Sequence, residues 1–168
     1  MSDLNKTKIY NINELLKEKK METKALRIRH IIFWAMVVIF AALVASPIMV
    51  ATRLRFWEYK RLLLVVIAVV FFTLAIALLV LTLKLKEPLM RRIFFLLTGA
   101  SAVGIPIFAI LHNLVYGLFF HGKAGEDEAV FFILAVIVCP ALFAVGMLGS
   151  IVILISDRLR KKEISGSI

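Results

Sequence analysis

Charged side chains are missing from four long stretches of this chain. No Asp, Glu, Lys or Arg occurs in the runs 31–52, 62–83, 93–120 and 129–156. Each run is as long as the roughly 20 residues that a helix needs to cross a hydrocarbon core of about 30 Å. Because a backbone in lipid must satisfy its own hydrogen bonds, we expect each run to be a helix. The same absence argues against pumps, secondary transporters and voltage sensors, which place ionisable groups within the membrane.

Other absences restrict the chemistry. Cys139 is the only cysteine, so no disulfide can form within the chain. There is no glycine-rich phosphate loop, metalloprotease helix motif or cysteine–histidine zinc spacing. The three histidines lie at different expected depths, which disfavours a haem held by two of them. We therefore expect no metal, no cofactor and a protein that is not an enzyme.

The composition and the four runs together predict an all-α integral membrane protein, a bundle of four transmembrane helices. Hydrophobic residues make up 62% of the chain and the mean hydropathy is +0.97, against about 45–50% apolar residues in ordinary globular domains. We divide the chain into a basic N-terminal segment 1–30, which forms a juxtamembrane helix, a transmembrane domain 31–156 and a basic tail 157–168.

The positive charge of the chain indicates its orientation. The net charge is +10, but the basic residues flank the apolar runs. We therefore expect contact with anionic lipid headgroups and no binding of nucleic acid. The N-terminal segment, the second connection and the tail hold sixteen Lys and Arg, and the other two connections hold five. Since positive residues stay in the cytoplasm, both termini should be cytoplasmic, in the cell membrane.

The two outer connections carry opposite charges. The first contains Arg53 and Arg55, and the other contains the acidic run Glu126, Asp127 and Glu128. We expect these loops to attract each other and to bring the first helix pair against the second. Exposed ion pairs contribute only about 0–1 kcal/mol each, so the effect would concern orientation more than stability.

Small residues four positions apart predict where the helices meet, because they let backbones approach closely in lipid. The second span has no such spacing, so we expect it to be the most lipid-exposed. The inner contact surface should belong to the first, third and fourth spans. The small-residue pairs are Ala41 with Ala45, Ala42 with Ser46, Ala100 with Gly104, Ala135 with Cys139, and Gly146 with Ser150.

Three prolines interrupt the runs, at Pro47, Pro106 and Pro140. Each removes a backbone hydrogen bond and clashes with the preceding turn, so we expect helix kinks there. The second and third should lie at similar depths below the outer surface. A shared kink level either opens a cleft toward the outside or simply shapes two packed helices.

A polar group stands out in the third run. His112, Asn113 and Tyr116 lie within about one helical turn, toward the outer side. One interpretation is that His112 and Asn113 make interhelical hydrogen bonds that fix packing. The other is a ligand-binding polar vestibule open to the outside, since histidine changes charge near neutral pH and polar residues within a span are site candidates.

Two functions from different classes remain. The first is a non-catalytic protein that works by association, as an accessory subunit or scaffold, through a protein partner or through self-association. The alternative is a small permease or sensor with its vestibule around His112. The substitution His112→Ala separates them, because only a permease or sensor would lose activity, or its pH dependence, while still assembling.

Overall fold

The computed structural model describes residues 2–50, 57–120 and 129–166, which are helical except for a short connection at 85–88. The first three helices are α1 (Ser2–Val50), α2 (Trp57–Lys84) and α3 (Leu89–Val115), and α3 continues as a π-helical turn, Tyr116–Phe120. The last apolar run forms α4 (Ala129–Ile133), a π-helical turn (Leu134–Val138) and α5 (Cys139–Gly166). No strand occurs within the described ranges.

Four stretches of helix are long and apolar enough to cross a membrane. They confirm the prediction of an all-helical chain with four candidate spans, and they indicate a multi-pass membrane protein. The first belongs to one uninterrupted helix that joins the basic N-terminal segment to the first apolar run. The stretches are Ile12–Ala45, Val65–Lys84, Leu89–Phe119 and Ala129–Arg160.

The prolines affect the helices differently. Directly before Pro140, the N–H of Cys139 donates to the carbonyl of Leu134, five residues back. This wider turn precedes a residue that has no N–H to donate and whose ring crowds the preceding turn. By contrast, α3 continues through Pro106 and α1 continues through Pro47 without a break in the helix.

Aromatic rings fill the centre of the bundle. The Phe33 and Phe95 rings meet edge to face with centroids 5.2 Å apart, and Phe143 lies 4.3 Å from Phe40 and 5.7 Å from Phe71. These rings come from α1, α2, α3 and α5, so one cluster ties together all four spans. Such pairs contribute about 0.5–1.5 kcal/mol each beyond the area they bury.

Helix α3 lies in the middle of the arrangement, against α2 on one side and α5 on the other. Glycine permits both approaches. A Cβ added to Gly99 would lie 2.8 Å from Cγ of Leu79, and one added to Gly146 would lie 2.7 Å from the backbone nitrogen of Thr98. The small residues are therefore used one at a time: Gly99 lies opposite the side chain of Leu79, and Gly146 lies opposite the backbone and hydroxyl of Thr98.

The second span is more enclosed than we predicted from sequence. Its most apolar window is 22% buried, whereas that of the first span is 17% buried. Helix α2 therefore belongs to the inner contact surface, and α1 is the more exposed helix. The expectation failed because the glycine that permits close packing is on the neighbouring helix. The side chain of Leu79 packs against Gly99 of α3, so α2 needs no pair of small residues of its own. Its buried residues follow a helical stripe, namely Phe71, Ala75, Leu78 and Thr82, and Leu85 in the connection continues it.

The predicted small-residue pairs are distributed unevenly. Gly146 and Ser150 are buried, and a Cβ on Gly104 would lie 2.8 Å from Sγ of Cys139. Ala41 and Ala100, however, are exposed. Their helices present other faces to the core, and a helix contact through these two alanines stays a prediction.

Candidate functional site

The end of the bundle that carries Arg29, the 85–88 connection and Asp157 is called the basal end here. A chain of ion pairs crosses it. The guanidinium of Arg29 donates two hydrogen bonds to the carboxylate of Glu87, one of them 2.9 Å long. Arg91 bonds Glu87 at 3.1 Å and also pairs with Asp157. This basal network therefore joins α1, the α2–α3 connection, α3 and α5.

Arg29 is the most deeply placed charge of the network. Its side chain is fully buried, and that of Glu87 is 7% exposed. The guanidinium carbon lies 4.1 Å from the centroid of the Phe95 ring, a cation–π contact. Along α1, Arg29 heads the stripe that continues inward through Phe33, Met36 and Phe40. The face of α1 that packs in the core therefore has a positive charge at its basal end, and the carboxylate of Glu87 compensates that charge.

The local sequence explains how Glu87 reaches this position. Helix α2 ends at Lys84, and Pro88 precedes α3 with an extended backbone. The carbonyl of Pro88 accepts the N–H of Arg92 at 3.1 Å. A residue before proline is biased toward extended conformations, so Glu87 stands outside both helices. It can therefore turn toward α1.

The pKa of the Glu87 carboxyl is lowered below its ordinary value of 4.5. Burial alone would raise this pKa, because it disfavours the charged form. The hydrogen bond and charge of Arg29, followed by those of Arg91, outweigh the effect of burial. Glu87 is therefore ionised at neutral pH.

A groove of about 740 Å³ runs between α1 and α5 at the basal end. Its α1 wall contains Arg27, His30, Ile31 and Trp34. The α5 wall and the α3 floor add apolar residues, three arginines and one aspartate, namely Ile151, Leu154, Ile155, Arg158, Arg160, Arg91 and Asp157. The groove is apolar toward the middle of the spans and cationic at its basal mouth.

Several polar atoms beside the groove are buried without a partner. Nε2 of His30 and Nε of Arg91 have no hydrogen-bond partner among the described residues. Arg27, Arg158 and Arg160 form no ion pair with any described residue. Because Glu87 and Asp157 are already engaged in the basal network, the mouth of the groove keeps an excess of positive charge.

Residues 2–28 of α1, called the arm here, precede the basal network. On its inner side Glu18, Met21 and Glu22 line a second cavity of about 280 Å³ together with Lys84 and Lys86. Acidic residues of the arm thus lie near basic residues at the end of α2. The arm also carries exposed apolar side chains, at Ile12, Leu15, Leu16 and Met21.

The predicted vestibule residues lie at the opposite end of the bundle, in three different settings. His112 is half-buried, with its ring 5.5 Å from that of Phe132 and 6.4 Å from that of Tyr116. Asn113 is exposed, and its Nδ2 donates to the carbonyl of Ala109 at 2.8 Å, within the same helix. Tyr116 is exposed. His112 therefore contacts the fourth span, while Asn113 bonds to its own helix.

The predicted pairing of the outer loops lies outside the described residues. Arg53 and Arg55 belong to the range 51–56, and Glu126, Asp127 and Glu128 belong to the range 121–128. Within the ranges that are described, no group of three His, Cys, Asp or Glu side chains could hold a metal ion.

Sequence reasoning missed the basal network. In the sequence, Arg29 is one of eight basic residues in a polar segment, and Asp157 is the first residue after an apolar run. Only Glu87 could have indicated an ion pair, because it is the one acidic residue in a connection that contains four basic residues. That signal indicates a partner but does not identify Arg29, which is 58 residues away.

Comparison with known proteins identifies no relative. No protein family, curated protein or solved structure matches this chain.

Proposed function

We propose that this chain is a non-catalytic membrane protein that works by association, as an accessory subunit or scaffold, and that the arm is its binding surface. Both termini lie in the cytoplasm and the protein resides in the cell membrane, in accordance with the distribution of Lys and Arg. The arm then projects into the cytoplasm, where a protein partner can reach it.

The length of α1 carries this proposal. The helix has 49 residues, which at 1.5 Å each extend about 74 Å. A hydrocarbon core is only about 30 Å thick, so more than half of α1 lies outside it. The buried Arg29–Glu87 pair fixes the helix where it meets the bundle. The arm is thereby held in a set direction, which lowers the entropy cost of docking a partner.

The chemistry of the arm suits a protein partner better than a ligand. Leu15 and Leu16 are 64% and 60% exposed, and Ile12 is 52% exposed. Lys17, Lys20 and Lys24 form a basic stripe at helical spacing. An apolar patch beside a basic stripe favours a partner helix with apolar anchors and acidic flanks.

The test is the composition of the protein extracted from its native membrane in mild detergent, measured by native gel and mass spectrometry of the band. We expect a second protein in fixed ratio. The variant Leu15→Gln/Leu16→Gln should lose that protein. The matched control Lys17→Gln/Lys20→Gln removes charge but keeps the apolar patch, so it should retain most of the complex.

Two outcomes would contradict the proposal. A band that contains only this chain would exclude the accessory subunit, and an unchanged mass in the leucine variant would exclude the arm as the surface. If only the lysine variant lost the complex, the contact would be electrostatic rather than apolar.

The alternative function, a small permease or sensor around His112, has weaker support. Asn113 bonds to its own helix, and the His112 ring packs beside Phe132. These contacts suit a packing role for the group. The alternative keeps its own test in the His112→Ala variant.

A further inference from the structure

The lining of the groove between α1 and α5 changes from basic to apolar residues along its length, in the same direction on both walls. On α1, Trp34 lies seven residues beyond Arg27, toward the middle of the span. On α5, which runs in the opposite direction, Ile151 lies seven residues before Arg158. Seven helical residues correspond to about 10 Å. Both walls therefore pass from cationic to apolar over the same distance.

This gradient matches a membrane lipid. The charged mouth lies where the basic flanks of the spans begin, which is the headgroup level of a bilayer. The apolar stretch lies where acyl chains begin. Trp34 is 44% exposed, and a tryptophan at this level has its ring between the two regions.

We propose that the groove is a binding site for an anionic phospholipid. Arg27 and Arg158 hold the headgroup phosphate, with Arg160 beside them, and the first part of an acyl chain lies along Trp34, Ile151 and Ile155. The site is distinct from the proposed partner surface around Ile12, Leu15 and Leu16, because its one residue on the arm, Arg27, lies eleven residues beyond Leu16 along α1.

Charge and hydrogen bonding support an anion at the mouth. The three arginines form no ion pair with any described residue, while the nearby carboxylates are engaged in the basal network. Arginine suits a phosphate because its planar guanidinium can donate two parallel hydrogen bonds. The unpartnered Nε2 of His30 is one more polar atom beside the groove that the described residues leave unbonded.

The chain offers a direct probe of occupancy. Trp34 and Trp57 are its only tryptophans, so the Trp57→Phe variant has its fluorescence from Trp34 alone. The full chain is reconstituted into vesicles of phosphatidylcholine that contain a low mole fraction of brominated phosphatidylglycerol or, in the parallel sample, brominated phosphatidylcholine. Bromine on the acyl chain quenches only a tryptophan that it contacts.

We expect brominated phosphatidylglycerol to quench Trp34 more strongly than brominated phosphatidylcholine at equal mole fraction. The preference should fall about fivefold for each arginine removed, in the Arg27→Gln and Arg158→Gln variants. The matched control is Lys84→Gln/Lys86→Gln, which removes two basic residues at the basal end on the α2 side. It should keep the preference, and equal circular dichroism in all variants checks folding.

A competition with soluble glycerol phosphate distinguishes a lipid ligand from a free phosphate ester. Both present a phosphate group to the arginines. We expect no reversal of quenching when it is added, because it lacks the chain that the apolar walls hold. Reversal would assign the mouth to a soluble phosphate and overturn the lipid proposal. Equal quenching by the two brominated lipids would also overturn it, and so would an undiminished preference in the arginine variants.

Discussion

The two ends of the bundle treat polar residues in opposite ways. At the basal end, four charged side chains from three helices and one connection join in one network, in which the Arg29–Glu87 pair is buried. At the other end, His112 lies between aromatic rings, and Asn113, its neighbour in sequence, bonds to its own helix. The charges at the run boundaries therefore join several elements, whereas Asn113, inside a run, bonds within one helix.

The difference shows that position along a run does not determine whether a polar group is buried. Arg29 lies beyond the end of an apolar run, yet its side chain is fully buried because it is on the face that enters the core. Asn113 lies inside a run, yet it is exposed because it is on an outward face. Which face a residue occupies and whether a partner reaches it matter more than its depth.

The largest effect that we predict comes from the basal network. Glu87→Gln keeps the shape of the side chain but leaves the buried Arg29 charge without compensation. Removing one partner of a buried ion pair costs about 3–5 kcal/mol. We expect a loss of this size in the free energy of unfolding, measured by denaturant titration in mixed micelles. Glu163→Gln, at an exposed position on α5, should change it little.

Two further measurements belong to the same prediction. The pKa of Glu87 is lowered in the folded chain, so its contribution is present above 4.5 and is lost as the pH falls through the lowered value. Wild-type stability should decline there, and the Glu87→Gln variant should lack that part of the decline. Adding Arg29→Met to the variant should restore part of the stability, because it removes the buried charge that Glu87→Gln leaves without compensation. A double variant no more stable than Glu87→Gln would show that the network is not the cause.

A smaller effect should come from the helix contact between the two ends. In Gly146→Ala, the new Cβ would lie 2.7 Å from the backbone nitrogen and from Oγ1 of Thr98. Backbone cannot move aside as a flexible side chain can, so α3 and α5 must separate. Overpacking of this kind costs about 1–3 kcal/mol, and the same titration measures it.

Gly117 provides the matched control, since an added Cβ there meets nothing within 4 Å. Gly117→Ala should leave stability unchanged. If both alanine variants had the same stability, the close approach of α3 and α5 would not contribute to the bundle. If Gly146→Ala cost more than Glu87→Gln, the contact in the middle would outweigh the basal network.

The sequence predicted the helices well and their neighbours poorly. Runs without charge identify spans by composition alone, and each of the four candidates overlaps one of those runs. The inward stripe of α2 gave no signal, because the residues around it are equally apolar. Its burial depends on Gly99 of α3 as the receiving surface, which composition does not reveal.

The candidate sites show the same division. His112 was visible because histidine is rare in an apolar run. Arg29 and Glu87 were hidden among similar charges, and only the folded arrangement brings them together. The groove forms between two antiparallel helices that come from opposite ends of the sequence. Neither helix alone has a sequence pattern that predicts a binding site.

The smallest effect that we predict concerns His112. Replacing it with alanine removes the ring contacts with Phe132 and Tyr116, and an aromatic pair contributes about 0.5–1.5 kcal/mol beyond its buried area. We expect His112→Ala to lose stability within this range, and Asn113→Ala, which breaks only a bond within its own helix, to lose less. Assembly on a native gel should persist in both. If instead His112→Ala kept full stability but lost a pH-dependent flux or response in proteoliposomes, the polar group would be a functional site. The two ends would then differ in role. The basal network would stabilise the bundle, and the functional group would lie at the opposite end.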